Sequence, residues 1–295
     1  MHKSGFIALI GRPNVGKSTL LNSLVGEKVA IISERPQTTR NQIRAILTRE
    51  EAQLIFIDTP GLHKPKHKLG SAMVQMARNT MREVDLIFYM VEAHHPPGYG
   101  DKQIAALLQK SESPVFLIVN KADLAAPEKL AAHKDFYEKL GSFKNHFVLS
   151  ALKADNLDYL IDAAVAELPE GPQFYPPNMV TDQPEIFVAA EIIREKIIPL
   201  TSQEIPFSVA VVVQDLSFRE ESELIDIRAE IFVERKSQVG IIVGKGGMML
   251  KKIGTLARKE LEALFGAQVF LDLRVKVKKD WRSREQDLRR LGYAD

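Results

Sequence analysis

The chain of 295 residues contains no cysteine and a single tryptophan. Without thiols it has no disulfide scaffold, cysteine zinc site, iron–sulfur cluster or thiol nucleophile, and the composition suits a reducing compartment. No apolar run approaches the roughly 18–20 residues that cross a bilayer. The N-terminal run Phe6-Ile7-Ala8-Leu9-Ile10 is too short for a signal-peptide core and has no small-residue cleavage site after it. The expectation is therefore a soluble, cytoplasmic protein, with peripheral contact at a membrane surface left open. One-signed charge is also lacking: 40 Lys+Arg against 38 Asp+Glu give a formal charge of +2, which as an average speaks against a strongly basic nucleic-acid binder.

What is present is ordinary for a globular chain, with 45% hydrophobic and 26% charged residues. The length corresponds to about two domains at roughly 150 residues each. Short apolar segments at 6–10, 52–57, 85–91, 115–119 and 146–149 read as buried strands. Between them, residues 17–25, 69–84, 101–110, 127–141 and 157–168 carry apolar side chains at three- and four-residue spacing and read as helices. This alternation implies a mostly parallel sheet with helices on both faces, an α/β domain over 1–168.

A break follows at 168–177, where Pro169, Pro172, Pro176 and Pro177 exclude a continued helix or a central strand. A linker is placed at 169–184. From 185 to 295 the order changes: a helix at 186–200, strands at 207–216 and 224–234, a short helix or turn at 239–243, a long helix at 248–265 and a strand at 268–277. The α-β-β-α-α-β order predicts a smaller α+β domain with helices on one face of three strands.

The first strand runs into Gly11-Arg12-Pro13-Asn14-Val15-Gly16-Lys17-Ser18, with Thr19 already in the following helical pattern. This is the G-x-x-x-x-G-K-S phosphate loop in its strand–loop–helix setting. Its glycines let backbone N–H groups face a phosphate, the helix N-terminus adds its positive dipole end, Lys17 supplies a charge and the Ser18 hydroxyl can ligate Mg²⁺. Later, Asp58-Thr59-Pro60-Gly61 ends a strand with a carboxylate suited to Mg²⁺, and Gly61 can give its N–H to a terminal phosphate. Asn120-Lys121-Ala122-Asp123 follows another strand. The Asp123 carboxylate can accept from N1–H and N2–H of guanine, donors that adenine lacks, so an ATP-dependent kinase is disfavoured. The last strand delivers Ser150-Ala151-Leu152, whose backbone can reach guanine O6.

These segments in order resemble the translation-factor-related branch of Ras-like GTPases. The resemblance implies that Pro36-Gln37-Thr38-Thr39-Arg40 is the first switch, with Thr39, or less favourably Thr38, closing over Mg²⁺ and the γ-phosphate. Leu62 stands where Ras-like proteins keep a glutamine that orients the attacking water, and an apolar side chain cannot do so, which predicts slow intrinsic hydrolysis. Asn14 resembles an asparagine that holds K⁺ in place of an arginine finger in relatives with an apolar residue at this point; a loop-capping amide is the other reading. His63, His67, His94 and His95 lack metal-site spacing and read as solvated loop residues, as does the basic stretch 64–68.

Charge is segregated in the second half. Residues 184–234 hold four basic and eleven acidic side chains, a balance of −7, whereas 235–295 hold fifteen and seven, a balance of +8. Such a basic quarter is the footprint of a surface that follows a phosphate backbone. Within it, Ile242-Val243-Gly244-Lys245-Gly246-Gly247 precedes a helix bearing Lys251 and Lys252. Gly244-Lys245-Gly246-Gly247 fits the GXXG loop of a K-homology domain, which permits close approach of a sugar–phosphate backbone; a glycine-rich helix–helix turn is the plainer alternative. Ile241, Ile242, Val243, Ile253 and Leu256 suit either an apolar groove for unstacked bases or core packing, with core packing the favoured reading for Leu256.

A P-loop GTPase domain with a mostly parallel sheet, followed by a type II K-homology domain, resembles the Era family of bacterial ribosome-assembly GTPases. Further matches are Glu191-Ile192-Ile193-Arg194-Glu195-Lys196, Val275-Lys276-Val277-Lys278 with Trp281, and Leu291-Gly292-Tyr293. The resemblance implies a monomeric GTP-hydrolysing switch that uses GTP/GDP and Mg²⁺. It also implies binding to the 3′ region of 16S rRNA and assistance in maturing the 30S subunit, with a possible site at the inner face of the membrane. At the third GXXG position, where the family usually carries lysine, this chain has Gly246, and the lysine stands one place earlier at Lys245. The alternative is a constitutive RNA-binding protein whose nucleotide site is mainly structural.

Overall fold

The computed structural model describes residues 2–219 and 223–294. The chain divides into two compact units after Asp182, the three residues His67–Leu69 apart.

The first unit holds β1 (Lys3–Gly11), α1 (Lys17–Val25), β2 (Ile43–Thr48), β3 (Ala52–Asp58), α2 (Lys68–Thr80), β4 (Leu86–Glu92), α3 (Tyr99–Leu108), β5 (Val115–Asn120), α4 (Pro127–Glu138), β6 (Asn145–Val148) and α5 (Leu157–Glu167). The strands form one sheet in the order β2-β3-β1-β4-β5-β6. All neighbours are parallel except β2, which runs antiparallel to β3. Side chains alternate across the sheet as a two-residue period requires. Ala8 and Ile10 of β1 join Ile87, Tyr89 and Val91 of β4 and Ala77, Ile104 and Leu108 of α2 and α3 in one core. Ile7 and Leu9, fully buried, face the other side, where the Phe88 and Phe116 rings stack 5.8 Å apart and Leu20, Leu21, Leu160 and Ile161 of α1 and α5 are buried.

Sequence reading omitted β2. Its burial alternates only in part, and its place is fixed by the register Ile43↔Asp58 through Thr48↔Gln53, which no local pattern reveals. The stretch expected to be a linker is laid along this unit up to Asp182. Ser4 N donates to Pro169 O at 3.1 Å, and Ile46 N donates to Val180 O at 2.8 Å. The buried Gln53 side chain accepts from Phe174 N and Tyr175 N at 2.7 and 2.9 Å and donates to Tyr175 O at 2.8 Å. Proline removes N–H donors but leaves the remaining amides to be satisfied, and Gln53 satisfies them.

The second unit holds α6 (Glu185–Leu200), α7 (Ile205–Ser208), β7 (Ala210–Arg219), β8 (Leu224–Val233), α8 (Lys236–Val243), α9 (Met248–Phe265), β9 (Gln268–Val277) and α10 (Glu285–Arg290). The strand order is β7-β8-β9, with β7 antiparallel and β9 parallel to β8. Ile225, Ile227, Ala229, Ile231 and Val233 of β8 point into a core shared with Ile193 and Ile197 of α6 and Ile253, Ala257 and Leu261 of α9. Residues expected at the start of a strand at 207–216 instead close the turn α7, so β7 begins at Ala210. Beyond β9 the tail packs back: Trp281 is fully buried, donates from Nε1 to Ser208 O at 2.8 Å and stacks on Tyr293.

Candidate nucleotide and nucleic-acid sites

In the first unit the C-terminal ends of β1, β3, β4 and β5 meet around a cleft of about 460 Å³ lined by Lys17, Ser18, Thr39, Gly61, Glu92 and Lys121, among others. Open α/β sheets bind ligands at this edge. The loop between β1 and α1 is held by its own backbone: Gly16 adopts φ 99° at the start of α1, and Lys17 Nζ donates to Arg12 O at 2.9 Å. Gly61 approaches so closely that a Cβ there would lie 2.5 Å from Pro13 N, which ties the end of β3 to the phosphate loop. Burial lowers the Lys17 ammonium to about 8, against the opposing pull of Asp58 and Glu92. Burial likewise raises the Asp58 carboxyl, opposed by Lys17, Ser18 and Thr39.

Three oxygens expected around a cation converge. Ser18 Oγ donates to Asp58 Oδ2 at 2.6 Å, Thr39 Oγ1 donates to the same atom at 3.2 Å, and the two hydroxyls are 2.9 Å apart. Asp58 Oδ1 is buried without a hydrogen-bond partner among the described residues. A hydroxyl–hydroxyl–carboxylate set with an orphaned buried oxygen fits a hard divalent cation such as Mg²⁺. The geometry also separates the two threonines: Thr38 Oγ1 donates to Arg35 O at 2.7 Å, while Thr39 faces the carboxylate.

On the base side, Ala122 N donates to Leu149 O at 3.2 Å, which ties the loop carrying the exposed Asp123 to the segment that leads into Ser150, Ala151 and Leu152. Several expected contacts take other roles. Asn120, 1% exposed, is engaged by the protein: Nδ2 donates to Val15 O and Oδ1 accepts from Ala151 N, both at 2.9 Å, so it pins the base loops to the phosphate loop. Thr59 Oγ1 donates to Leu9 O inside the sheet. Arg12, expected at the phosphates, sends its guanidinium to Asp101 at 3.0 Å, because that buried carboxylate at the start of α3 needs a cation. Leu62 is buried in the core, and its N–H donates to Gly11 O at 3.0 Å. Asn14, at φ 67°, donates from Nδ2 to Glu34 O at 2.5 Å.

Sequence reasoning missed Glu92, His94 and His95 as cleft residues. Partial burial, with His95 beside it, lowers the His94 imidazole, and its ring lines the cleft. The available signal was position: all three follow directly on a predicted strand, as the recognised motifs do.

In the second unit, Gly244, Gly246 and Gly247 take φ of 72°, 59° and 80° between α8 and α9, conformations that side chains rarely adopt. Lys245 is exposed on this loop, and Lys251 and Lys252 are exposed on the first turns of α9, near the positive end of its dipole. The apolar candidates split. Ile242 and Ile253 are fully buried and belong to the core, whereas Ile241 and Leu256 are 49% and 42% exposed. Ile242 therefore corrects the expectation of a nucleic-acid contact: on α8 its neighbour Ile241 takes the outward face, and Ile242 the inward one.

A phosphate loop, a cation set, a guanine-side loop and a second unit with a GXXG loop define a GTPase joined to a K-homology module. Residues 6–121 match the family described as 50S ribosome-binding GTPase, and residues 204–282 match the KH domain family. The chain is 40% identical to Era in a crystal structure with MgGDPNP and nucleotides 1506–1542 of 16S ribosomal RNA, covering 100% of each chain at a TM-score of 0.96. It is also 40% identical to Aquifex aeolicus Era, a point variant bound to GDP and AlF₄⁻, over 99% of this chain and 100% of the other at a TM-score of 0.95. The chain belongs to the Era family of GTPases.

Proposed function

We propose that the protein is a switch whose second unit holds the 3′ region of 16S rRNA while GTP occupies the first, and which assists maturation of the 30S subunit. The observation that carries this reading is the pairing, in one chain, of the convergent Ser18–Thr39–Asp58 oxygen set with an exposed glycine–lysine loop at the head of α9. The full-length similarity to an Era structure that contains a 16S strand supports the small subunit over the large one named in the broader family description.

In this reading the phosphate-loop amides between Gly11 and Thr19 wrap the phosphates, and Lys17 places its charge on them. Ser18, Thr39 and Asp58 hold Mg²⁺, which when bound neutralises phosphate charge. Asp123 accepts from guanine, and Ser150, Ala151 and Leu152 border the base. Water attacks the γ-phosphate in line, with Gly61 N–H and the loop amides meeting the charge that develops. Leu62, turned into the core, leaves the water without a side-chain guide, so the chain's own turnover is slow and a partner or K⁺ held through Asn14 completes the site. Loss of the γ-phosphate frees Thr39 and its loop, and RNA is released.

Val243, Gly244, Lys245, Gly246 and Gly247, with Lys251 and Lys252, form the strand-binding edge, flanked by the exposed Ile241. In the same reading the chain acts as a cytoplasmic monomer whose contact with a membrane, through its basic quarter, is peripheral; among the described residues no helix is long and apolar enough to cross one. Ultraviolet crosslinking of a 16S 3′-end oligonucleotide tests the assignment. Adducts are expected at 241–252 with a non-hydrolysable GTP analogue, and adducts confined to other segments would overturn it.

A further inference from the structure

Four charged side chains form a path through the first unit that the chemistry above does not use. Asp101, 1% exposed, lies 3.0 Å from Arg12 Nε, and Arg12 Nη2 lies 3.8 Å from Glu92 Oε2. The other Glu92 oxygen pairs with Lys121 Nζ, which also donates to Asn14 O at 2.7 Å. Glu92 ends β4 directly beside Asn120 in the β4–β5 register and is 7% exposed.

A carboxylate in the wall of a phosphate-binding cleft opposes anion binding by its charge. Here each of its oxygens is matched to one cation, and each cation belongs to a different loop. Arg12 is part of the phosphate loop after β1, and Lys121 begins the guanine loop after β5. Lying between two cations that belong to those two loops, the Glu92 side chain serves geometry. Burial makes the arrangement stringent, because removing one partner of a buried ion pair leaves an uncompensated charge.

We propose that Glu92 is a positioning residue of the nucleotide site: its carboxylate clamps the phosphate loop to the guanine loop, so that both meet the nucleotide as one preorganised unit. The proposal rests on the reading of the cleft as a GTP site. Preorganisation of this kind acts on ground state and transition state alike, so it governs affinity rather than turnover.

The test uses the full-length protein. Glu92→Gln, which keeps shape and removes charge, is expected to raise the Kd of both GDP and a non-hydrolysable GTP analogue by the same factor, about tenfold. At saturating GTP, kcat is expected to stay within about twofold. The decisive readout is a double-mutant cycle with Lys121→Met: in the Glu92→Gln background that substitution costs at least about fivefold less affinity than in the wild type, because the clamp is already broken. Factors that simply multiply, or wild-type affinity in Glu92→Gln, overturn the proposal. If Glu92→Gln does not fold, Arg12→Met cuts the other half of the clamp and enters the same cycle with the same expectations. Wild-type protein that bound no guanine nucleotide would instead bring down the reading of the cleft itself.

Discussion

At the scale of single residues, the proposed function places base specificity on Asp123 and the completion of the hydrolytic site on Asn14. In the proposed reading, two charge-assisted hydrogen bonds from guanine to Asp123 would make guanine, and not adenine, suit the site. Asp123→Asn is expected to lower GTP affinity on the order of 100-fold and to favour xanthosine triphosphate, which competition binding measures; unchanged GTP affinity would refute the role. Asn14 sits in a left-handed conformation in the phosphate loop, its amide already committed to Glu34 O. If its oxygen holds K⁺, hydrolysis in K⁺ exceeds hydrolysis in Na⁺ at equal ionic strength, and equal rates remove that role. Lys17, Ser18, Asp58 and Gly61 were legible in the sequence because their chemistry lies in contiguous motifs at strand ends. The roles of Arg12, Asn120 and Glu92 were not, because each is set by a partner from another loop: Asp101 for Arg12, Ala151 for Asn120, Lys121 for Glu92.

Elements divide in the same way. Helix α9 was read with its observed limits because its apolar spacing is long and ends at Gly266, which takes φ 65°. Strand β2 and the course of 169–182 depend on pairing with distant residues, and prolines announce irregular chain without saying where it lies. Gln53 anchors that segment through buried hydrogen bonds to Phe174 and Tyr175. Gln53→Ala is expected to cost about 2–4 kcal/mol in urea unfolding of the first unit, since backbone donors and an acceptor lose their partner. On α8 the two isoleucines give opposite results. Ile242→Ala is expected to cost about 2–5 kcal/mol through a core cavity, and Ile241→Ala to stay within about 0.5 kcal/mol. Similar losses for both would contradict the assignment of their faces.

For the whole molecule, a charge of +2 conceals an acidic stretch of −7 before a basic one of +8, and the latter surrounds the GXXG loop. The fold class and most of the order of elements were legible because each unit has its own periodicity; β2, α7 and α10 were not. What no motif states is whether the two activities are coupled. A constitutive RNA binder with a structural nucleotide site would carry every residue described above, so coupling is the central claim. Titration of a 16S 3′-end oligonucleotide in GDP and in a non-hydrolysable GTP analogue, at one salt concentration, measures it directly. Affinity is expected to be at least about tenfold higher with the analogue, a coupling of about 1.4 kcal/mol. Identical affinities in the two states would contradict the switch.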